Sequence, residues 1–435
     1  MFSKLKSFLL ENTTVSQTIT KNTFWLFFGQ LISRLFRAAI VIYAARMLGA
    51  ESWGAFAYAL GVATFLTIFS DIGINALITK ETARDLELKD QYLATAFFIK
   101  LGLLAILILG VIIFFPYLTR IPEAALVMPI LMFVFVFDTL RDLGSALSRA
   151  LEKMQIEAGI QIFTNLAIAV LGFLFLTTEE TGQSLAYAYA LGSGLGLAAM
   201  FYTLRRHFRD IFDNFNRALV KAIIVTAWPF GLLGIMGVVM LNTDIIMLGW
   251  LRQPAEVGYY SAAQKLIQVL YVLPALFAAS VFPIVAKLVR TDALAVKKLL
   301  EKSVALVILV SLPIALLGIV LAEPIIELLF GMEYAPSILT FRILMATIVI
   351  VYPASLLGYA IFAYDEQKNF IWFVAVAALG NVLFNFLLIP KFGIEGAAVS
   401  TIITQLLTNA LIWRKVKKIT GLTIWPQIKH YLLGK

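Results

Sequence analysis

Long apolar stretches alternate with short polar breaks along the chain from about Thr23 to Val416. A helix that spans a bilayer needs about 20 mainly apolar residues. Twelve stretches approach or exceed this length, at approximately 23–45, 55–79, 92–114, 125–147, 158–177, 183–204, 222–248, 258–281, 303–321, 337–363, 370–389 and 396–413. The pattern therefore predicts an all-α polytopic membrane protein with about twelve transmembrane helices.

Composition narrows the chemistry that such a protein can perform. Of the 435 residues, 61% are hydrophobic and only 14% are charged, against about 25% charged residues in soluble domains. Twelve spans leave no length for a soluble catalytic domain, and a chain without cysteine has no thiol catalysis and no thiolate metal ligands. The sequence also contains no Walker-type nucleotide loop. We expect no enzymatic activity, no cofactor, no metal site and no direct use of ATP.

Positive charge is concentrated in alternate breaks between the predicted spans. One set of breaks, with the two termini, carries 25 Lys and Arg residues, whereas the other set has only Arg46, Arg120, Arg252 and Lys391. Because cytoplasmic loops are enriched in Lys and Arg, this bias predicts a plasma-membrane protein with both termini in the cytoplasm. The net charge of +9 is explained by this bias and by attraction to anionic membrane lipid, so we expect no nucleic-acid partner.

Two internal echoes indicate a repeat. The segment AESWGAFAYA at 50–59 resembles AEVGYYSAA at 255–263, and TGQSLAYA at 181–188 resembles EGAAVSTI at 395–402. Each pair is separated by about six spans, so both halves enter the membrane from the same side. This predicts two six-helix lobes, 21–210 and 211–416, related by a pseudo-twofold axis along the membrane normal, with a cavity between them. Amphipathic segments at 1–20 and 417–435 would flank the lobes on the cytoplasmic surface.

Five phrases carry a family resemblance, namely AARMLGAESWGAFAYA, SDIGINALITKETAR, EVGYYSAAQKLIQVLYVLPALFAASVFPIVAKL, FGMEYAPSILTFRIL and NFLLIPKFGIEGAAVSTII. Together they resemble the polysaccharide-biosynthesis branch of the multidrug/oligosaccharidyl-lipid/polysaccharide exporter superfamily, the O-antigen-type flippases, over residues 12–418. The resemblance implies a transporter that moves a polyprenyl-(pyro)phosphate-linked glycan from the inner to the outer leaflet by alternating access. It also implies a working monomer, with glycan polymerase or ligase machinery as possible partners.

Basic residues inside the predicted spans are the candidate substrate ligands. Arg34 and Arg37 lie roughly 16 to 21 Å beyond Thr23 at 1.5 Å per residue, too deep to reach the cytoplasmic surface easily. Spaced three apart, they share one helical face, and each would cost roughly 2.5 to 3.5 kcal/mol at the bilayer centre. We therefore predict that this face lines a watery cavity and binds a phosphate or sugar acid. Ion pairs with acids of neighbouring helices are the alternative.

Lys265 and Arg342 lie nearer the predicted outer end of their spans, about 8 to 10 Å in. They could form a second station for the anion in the outward-open state, or they could extend to the membrane surface. Two further basic residues, Lys100 and Arg141, also fall inside spans.

Acidic residues inside the spans are candidates for ion coupling, since a buried carboxylate can bind a proton or sodium. We single out Asp71, Asp138 and Asp244 for this role. In the competing interpretation, Asp138, Arg141 and Asp142 neutralise one another, because they are spaced i, i+3 and i+4 on one helix. Asn381 and Asn385 could hydrogen-bond sugars, although helix association is the simpler role for them.

Proline and glycine in the seventh span mark a candidate hinge at Pro229, Gly231 and Gly234. Proline removes a backbone hydrogen bond and glycine lets neighbouring helices approach, so the span could bend here to open the cavity. A static kink is equally compatible with the sequence.

Three functional classes fit a protein of this kind. The first is a lipid-linked oligosaccharide flippase, and the second is a small-molecule cation exporter of the same superfamily, whose cavity should be dominated by carboxylates and aromatic residues. The third is a membrane enzyme such as a glycan polymerase, which needs an extracytoplasmic catalytic surface that the short outward loops do not provide. The depth of Arg34 and Arg37 favours the flippase, driven by an ion gradient or by consumption of the glycan outside.

Overall fold

Helices make up nearly all of the protein, and no strand occurs in the part of the chain that the computed structural model describes, residues 15–85, 87–289, 291–364 and 366–433. These residues form two compact units. We describe each unit by itself.

The first unit contains the described residues up to Leu48 together with Ala55–Val238. Its core is an apolar cluster that includes Ile74, Leu143 and Ala227, all of them fully buried. The helices that contribute to it are α1 (Val15–Asp71), α2 (Ile74–Arg84), α3 (Lys89–Leu118), α4 (Pro122–Ala150), α5 (Met154–Leu176), α6 (Gly182–Thr203), α7 (Arg205–Phe208) and the first part of α8 (Arg217–Leu251).

A sharp turn after α1 shortens the second predicted span, which was expected to run to residue 79. The helix ends at Asp71, because Ile72 (φ 40°) and Gly73 (φ 88°) adopt left-handed backbone conformations. A side-chain carbon at Gly73 would lie 2.2 Å from the carbonyl oxygen of Ala227, so only glycine fits here. This close approach fixes the first part of α8 to the first unit. The units consequently divide at Val238, inside α8, rather than at the predicted boundary of 210.

The second unit contains Gly49–Gly54 and Val239–Lys435. One of its apolar clusters includes Leu300, Val304 and Ile361. A 3₁₀ turn at Met332–Tyr334 joins two of its helices. The helices are the remainder of α8, α9 (Pro254–Leu270), α10 (Val272–Leu288), α11 (Ala293–Val320), α12 (Ala322–Phe330), α13 (Ser337–Ala363), α14 (Gln367–Thr420) and α15 (Trp425–Leu433).

Ten helical segments in the described residues are long and apolar enough to cross a membrane. Two of them are interrupted by glycine, at Gly49 (φ 70°) in α1 and at Gly393 (φ 57°) in α14. When each interrupted segment is counted as two spans, the number agrees with the twelve predicted from the sequence. The prediction of an all-α multi-pass membrane protein is confirmed, and the pseudo-twofold axis and the cavity between lobes stay predictions.

The glycines shared by the first pair of repeat echoes, Gly54 and Gly258, have a packing role in the second unit. A side-chain carbon at Gly54 would lie 1.9 Å from the carbonyl oxygen of Pro254, and one at Gly258 would lie 2.0 Å from that of Ala50. The two backbones therefore touch without side chains between them. The Glu333 carboxylate accepts a hydrogen bond of 2.7 Å from the amide of Ala50, which further holds the segment Gly49–Gly54 on this unit.

The two predicted flanking segments are described to different extents. Residues 1–14 of the first segment lie outside the described residues. In the second, α14 ends at Thr420 with Gly421 in the left-handed conformation, and α15 follows. The amide and hydroxyl of Thr423 donate to the Glu301 carboxylate at 2.8 and 3.0 Å, so the start of α15 is fastened to α11.

Candidate functional site

The predicted cationic face lies on α1 in the first unit. The Arg37 Nε donates a hydrogen bond of 3.1 Å to the Asn165 side-chain oxygen on α5. The Asn165 amide in turn donates to the Gln161 carbonyl at 2.8 Å, and Asn165 is only 5% exposed. Arg37 is exposed and Arg34 is half-buried. The buried amide therefore orients a guanidinium whose remaining N–H donors point away from the α5 backbone.

Small residues bring α1 and α5 close enough for this contact. Side-chain carbons placed at Gly29 and Gly172 would lie 2.7 Å from Ala158 Cβ and 2.5 Å from Ile40 Cδ1. One pair of glycine contacts lies before Arg37 and the other after it, so the two helices run side by side past the arginine. Sequence analysis placed Asn165 in the fifth span only by its position and did not connect it with Arg37.

Arg37 has no acidic neighbour in the part of the chain that is described. No carboxylate oxygen there lies within 4 Å of its guanidinium, whereas nine other basic side chains, His207 among them, form such pairs. The alternative interpretation, in which an acid of a neighbouring helix neutralises the pair, does not hold for Arg37. Its positive charge remains available to an anion.

The second predicted pair of cations, Lys265 on α9 and Arg342 on α13, belongs to the second unit. Both are half-buried. Arg342 Nε donates to the Ile319 carbonyl on α11 at 3.2 Å, which uses one of its five N–H donors. A site shared by these residues and the α1 arginines stays a prediction.

Asp71 is balanced by a cation. Its carboxylate lies 2.7 Å from the ammonium of Lys100 on α3, and the Lys100 side chain is fully buried. The same carboxylate oxygen accepts a hydrogen bond of 3.1 Å from the Asn75 amide in the first turn of α2. Asp71 thus has both a permanent counterion and a structural role at the turn.

Asp138 is also paired. The Arg141 guanidinium lies 2.7 Å from the Asp138 carboxylate and 3.3 Å from that of Asp142, all on α4. These are the contacts that the i, i+3, i+4 spacing indicated. One arginine shared by two acids neutralises only part of their charge, so α4 retains a net negative charge.

Removal of Lys100 tests whether its pair with Asp71 is structural. Lys100→Met should destabilise the protein by about 3 to 5 kcal/mol, because it leaves the Asp71 carboxylate without its counterion in a largely buried position. The double variant Asp71→Asn with Lys100→Met should recover most of this loss. Thermal unfolding of purified protein in detergent measures both. An unfolding midpoint that Lys100→Met leaves unchanged would contradict the structural role and return Asp71 to the coupling candidates.

Asp244 on α8 lies at the centre of a buried polar cluster in the second unit, and it is 1% exposed. One carboxylate oxygen accepts hydrogen bonds from the amides of Asn385 at 2.6 Å and Asn381 at 3.2 Å. The other accepts from the hydroxyls of Tyr260 at 2.5 Å and Thr401 at 2.9 Å. The two asparagines therefore bind a carboxylate of their own protein rather than a sugar.

The charge of the Asp244 cluster is not balanced by any basic side chain in the described chain, since all four donors are neutral. The Asn385 side-chain oxygen is buried beside them without a hydrogen-bond partner. A buried charge is costly unless it is paired or neutralised. A proton on the carboxylate, or a small cation bound by these oxygens, would remove that cost.

The hinge candidates lie within α8, where they contact the turn that follows α1. A side-chain carbon at Gly231 would lie 2.6 Å from the Ile72 backbone, and one at Gly234 would lie 2.5 Å from Ile68 Cδ1. These two glycines thus permit close helix packing. Pro229 lies in the same helix, and bending at this place stays a prediction.

Comparison with known proteins places the chain among relatives of similar length. The family described as "Polysaccharide biosynthesis protein" matches residues 19–289. The Capsular polysaccharide biosynthesis protein CapF of Staphylococcus aureus is 23% identical, over 89% of this chain and 96% of that protein. The "Probable low-salt glycan biosynthesis flippase Agl15" of Haloferax volcanii is 21% identical, over 87% and 80%. The solved structure of the lipid II flippase MurJ, inward closed conformation, shares the fold with a TM-score of 0.77, at 16% identity over 94% and 90%.

Proposed function

The chain belongs to the polysaccharide biosynthesis protein family, and from this premise we propose that it flips a polyprenyl-(pyro)phosphate-linked oligosaccharide from the cytoplasmic to the outer leaflet by alternating access. The relatives named for capsular polysaccharide and for a glycan flippase support this class of substrate. The observation that carries the proposal is the Arg37 guanidinium, which lies deep in a spanning helix without a carboxylate partner among the described residues.

The physical task explains why such a guanidinium is useful. A lipid-linked glycan must carry a phosphate and many hydroxyls across about 30 Å of hydrocarbon, and each unpaired hydroxyl would cost several kcal/mol. A cationic, wet path lowers this barrier, while the polyprenyl tail stays in the lipid. A planar guanidinium binds phosphate oxygens with two parallel hydrogen bonds. Arg37, oriented by Asn165, binds the phosphate in this proposal, and Arg34 on the same face adds a second charge.

Lys265 and Arg342 serve in the proposal as a second anion station, used as the substrate leaves. The half-buried Arg342 retains N–H donors beyond the one that binds Ile319, which supports this role. Both cations belong to the second unit, so substrate transfer would pass from one unit to the other.

Ion coupling is assigned to Asp244 rather than to Asp71 or Asp138. Asp71 is paired with Lys100 and Asp138 with Arg141, whereas Asp244 has only neutral donors. We propose that a proton or a monovalent cation binds the Asp244 cluster and that its release accompanies the change of conformation. Such coupling would supply the energy that a chain without a nucleotide-binding loop needs.

The setting of this activity follows from the charge bias. Both termini lie in the cytoplasm, the membrane is the plasma membrane, and the protein works as a monomer without chemistry of its own. Glycan polymerase or ligase machinery on the outer face would consume the product.

Rescue of a bacterial strain that lacks its own O-antigen-type flippase tests the proposed function. We expect expression of this chain to restore surface glycan and to leave resistance to cationic drugs unchanged. Glycan synthesis on the cytoplasmic side is measured separately, so that only the transfer step is scored. Raised drug resistance without surface glycan would instead identify a cation exporter of the same superfamily.

A further inference from the structure

A groove of about 720 Å³ lies at the start of α8 in the first unit. It is lined by Phe215, Arg217, Val220, Lys221, Ile224 and Val225. None of these residues belongs to the arginine face of α1 or to the Asp244 cluster, so the groove is separate from the sites described above.

The lining of this groove changes from cationic to aliphatic along the helix. Arg217 and Lys221 are one turn apart at its polar end, and the aliphatic side chains of Ile224 and Val225 are 42% and 58% exposed at the other. The distance from Arg217 to Val225 is about 12 Å at 1.5 Å per residue. No charged residue follows Lys221 until Asp244. The groove therefore crosses the boundary between the polar and the hydrocarbon region of the membrane.

The two cations are not needed to hold the helix in place. Asn216 begins α8, since its side-chain oxygen accepts from the Ala218 amide at 3.0 Å. It also ties this end of the helix to α3, because its backbone amide donates to Thr95 and its side-chain amide to Gln91. Neither Arg217 nor Lys221 pairs with a carboxylate within the described residues. Both charges are thus free to bind a ligand.

A ligand that fits this lining must have an anionic group attached to a hydrocarbon chain. Inorganic phosphate would satisfy the cations but would leave the aliphatic wall uncovered. A zwitterionic phospholipid would bring its own cation next to Arg217 and Lys221. We propose that the groove binds an anionic phospholipid of the membrane, with its phosphate between Arg217 and Lys221 and an acyl chain along Ile224 and Val225.

Lipid binding to the purified full chain in neutral detergent tests this site. Phosphatidylglycerol is titrated against phosphatidylcholine with the same acyl chains, with binding followed by native mass spectrometry, and inorganic phosphate is added as a competitor. The wild type should bind phosphatidylglycerol preferentially, and millimolar phosphate should not displace it. Arg217→Gln with Lys221→Gln should weaken phosphatidylglycerol binding roughly 30-fold, from about tenfold or less per lost basic contact near a lipid surface.

Matched variants separate this site from general charge effects. Arg414→Gln with Lys418→Gln removes an exposed Arg and Lys with the same spacing on α14 and should leave binding unchanged. The exchange Arg217→Lys with Lys221→Arg keeps both charges and should retain the preference. Thermal unfolding without lipid confirms that each variant is folded. The proposal is overturned if the Gln pair binds phosphatidylglycerol like the wild type, if the control pair loses binding equally, or if inorganic phosphate competes fully.

Discussion

Neutralising the arginine face of α1 is expected to reduce surface-glycan transport at least about 100-fold. Removing one partner of a desolvated, hydrogen-bonded charge pair costs about 2 to 5 kcal/mol, and each 1.4 kcal/mol is tenfold. The variant Arg34→Gln with Arg37→Gln keeps side chains that hydrogen-bond but removes both charges from the proposed phosphate site. Surface glycan in the rescued flippase-null strain is the measurement, normalised to the amount of protein in the membrane.

A control for this prediction is available elsewhere in the first unit. Arg206→Gln with Arg209→Gln removes two exposed arginines with the same spacing of three residues and should leave transport close to the wild-type level. Arg34→Lys with Arg37→Lys keeps the charge but loses the planar fork, so an intermediate activity is expected. Full transport by a well-expressed Gln pair would show that the α1 face does not bind the substrate anion.

The Asp244 cluster should make the stability of the protein depend on a bound ion. A ligand that binds only the folded state stabilises it by about 2.7 kcal/mol at 100 times its dissociation constant. If sodium binds, the unfolding midpoint of the wild type rises with sodium at constant ionic strength. If a proton binds, the midpoint rises as pH falls. Asp244→Asn removes the charge that either ion neutralises, so both responses should disappear, and transport should fall at least about tenfold.

Asp138→Asn is the comparison variant for this experiment. Its carboxylate is paired with Arg141, which also contacts Asp142, so the substitution should leave the ion response intact. Retention of both the sodium and the pH response by Asp244→Asn would contradict the assignment. Loss of the response in Asp138→Asn as well would place the ion-binding site elsewhere.

The hydrophobic pattern was sufficient to predict the spanning helices, because an uninterrupted apolar run has few alternatives in a membrane. It could not predict where helices break. The left-handed conformations of Ile72 and Gly73 arise from close packing against α8, whose residues lie more than 150 positions later in the chain. Hydropathy treated this turn as the middle of a span, since both residues are apolar or small.

The candidate sites were predictable only in part, for a related reason. The depth of Arg37 in its span showed that it needs a polar environment, but its partner Asn165 is 128 residues away in sequence. The partners of Asp244 on α14 are 137 to 157 residues away. Local spacing did identify the Asp138–Arg141 pair, because both residues are on one helix. Contacts within a helix can be deduced from periodicity, whereas contacts between helices depend on the fold.

Equilibrium binding to the purified protein in nanodiscs tests the central claim most directly. The ligand is a fluorescent polyprenyl diphosphate-linked oligosaccharide, and the proteins compared are the wild type, Arg34→Gln with Arg37→Gln, and the Arg206→Gln with Arg209→Gln control. We predict that the α1 variant binds at least about 100-fold more weakly than the wild type, while the control binds equally well. Equal affinity of all three proteins would contradict an anion site on α1.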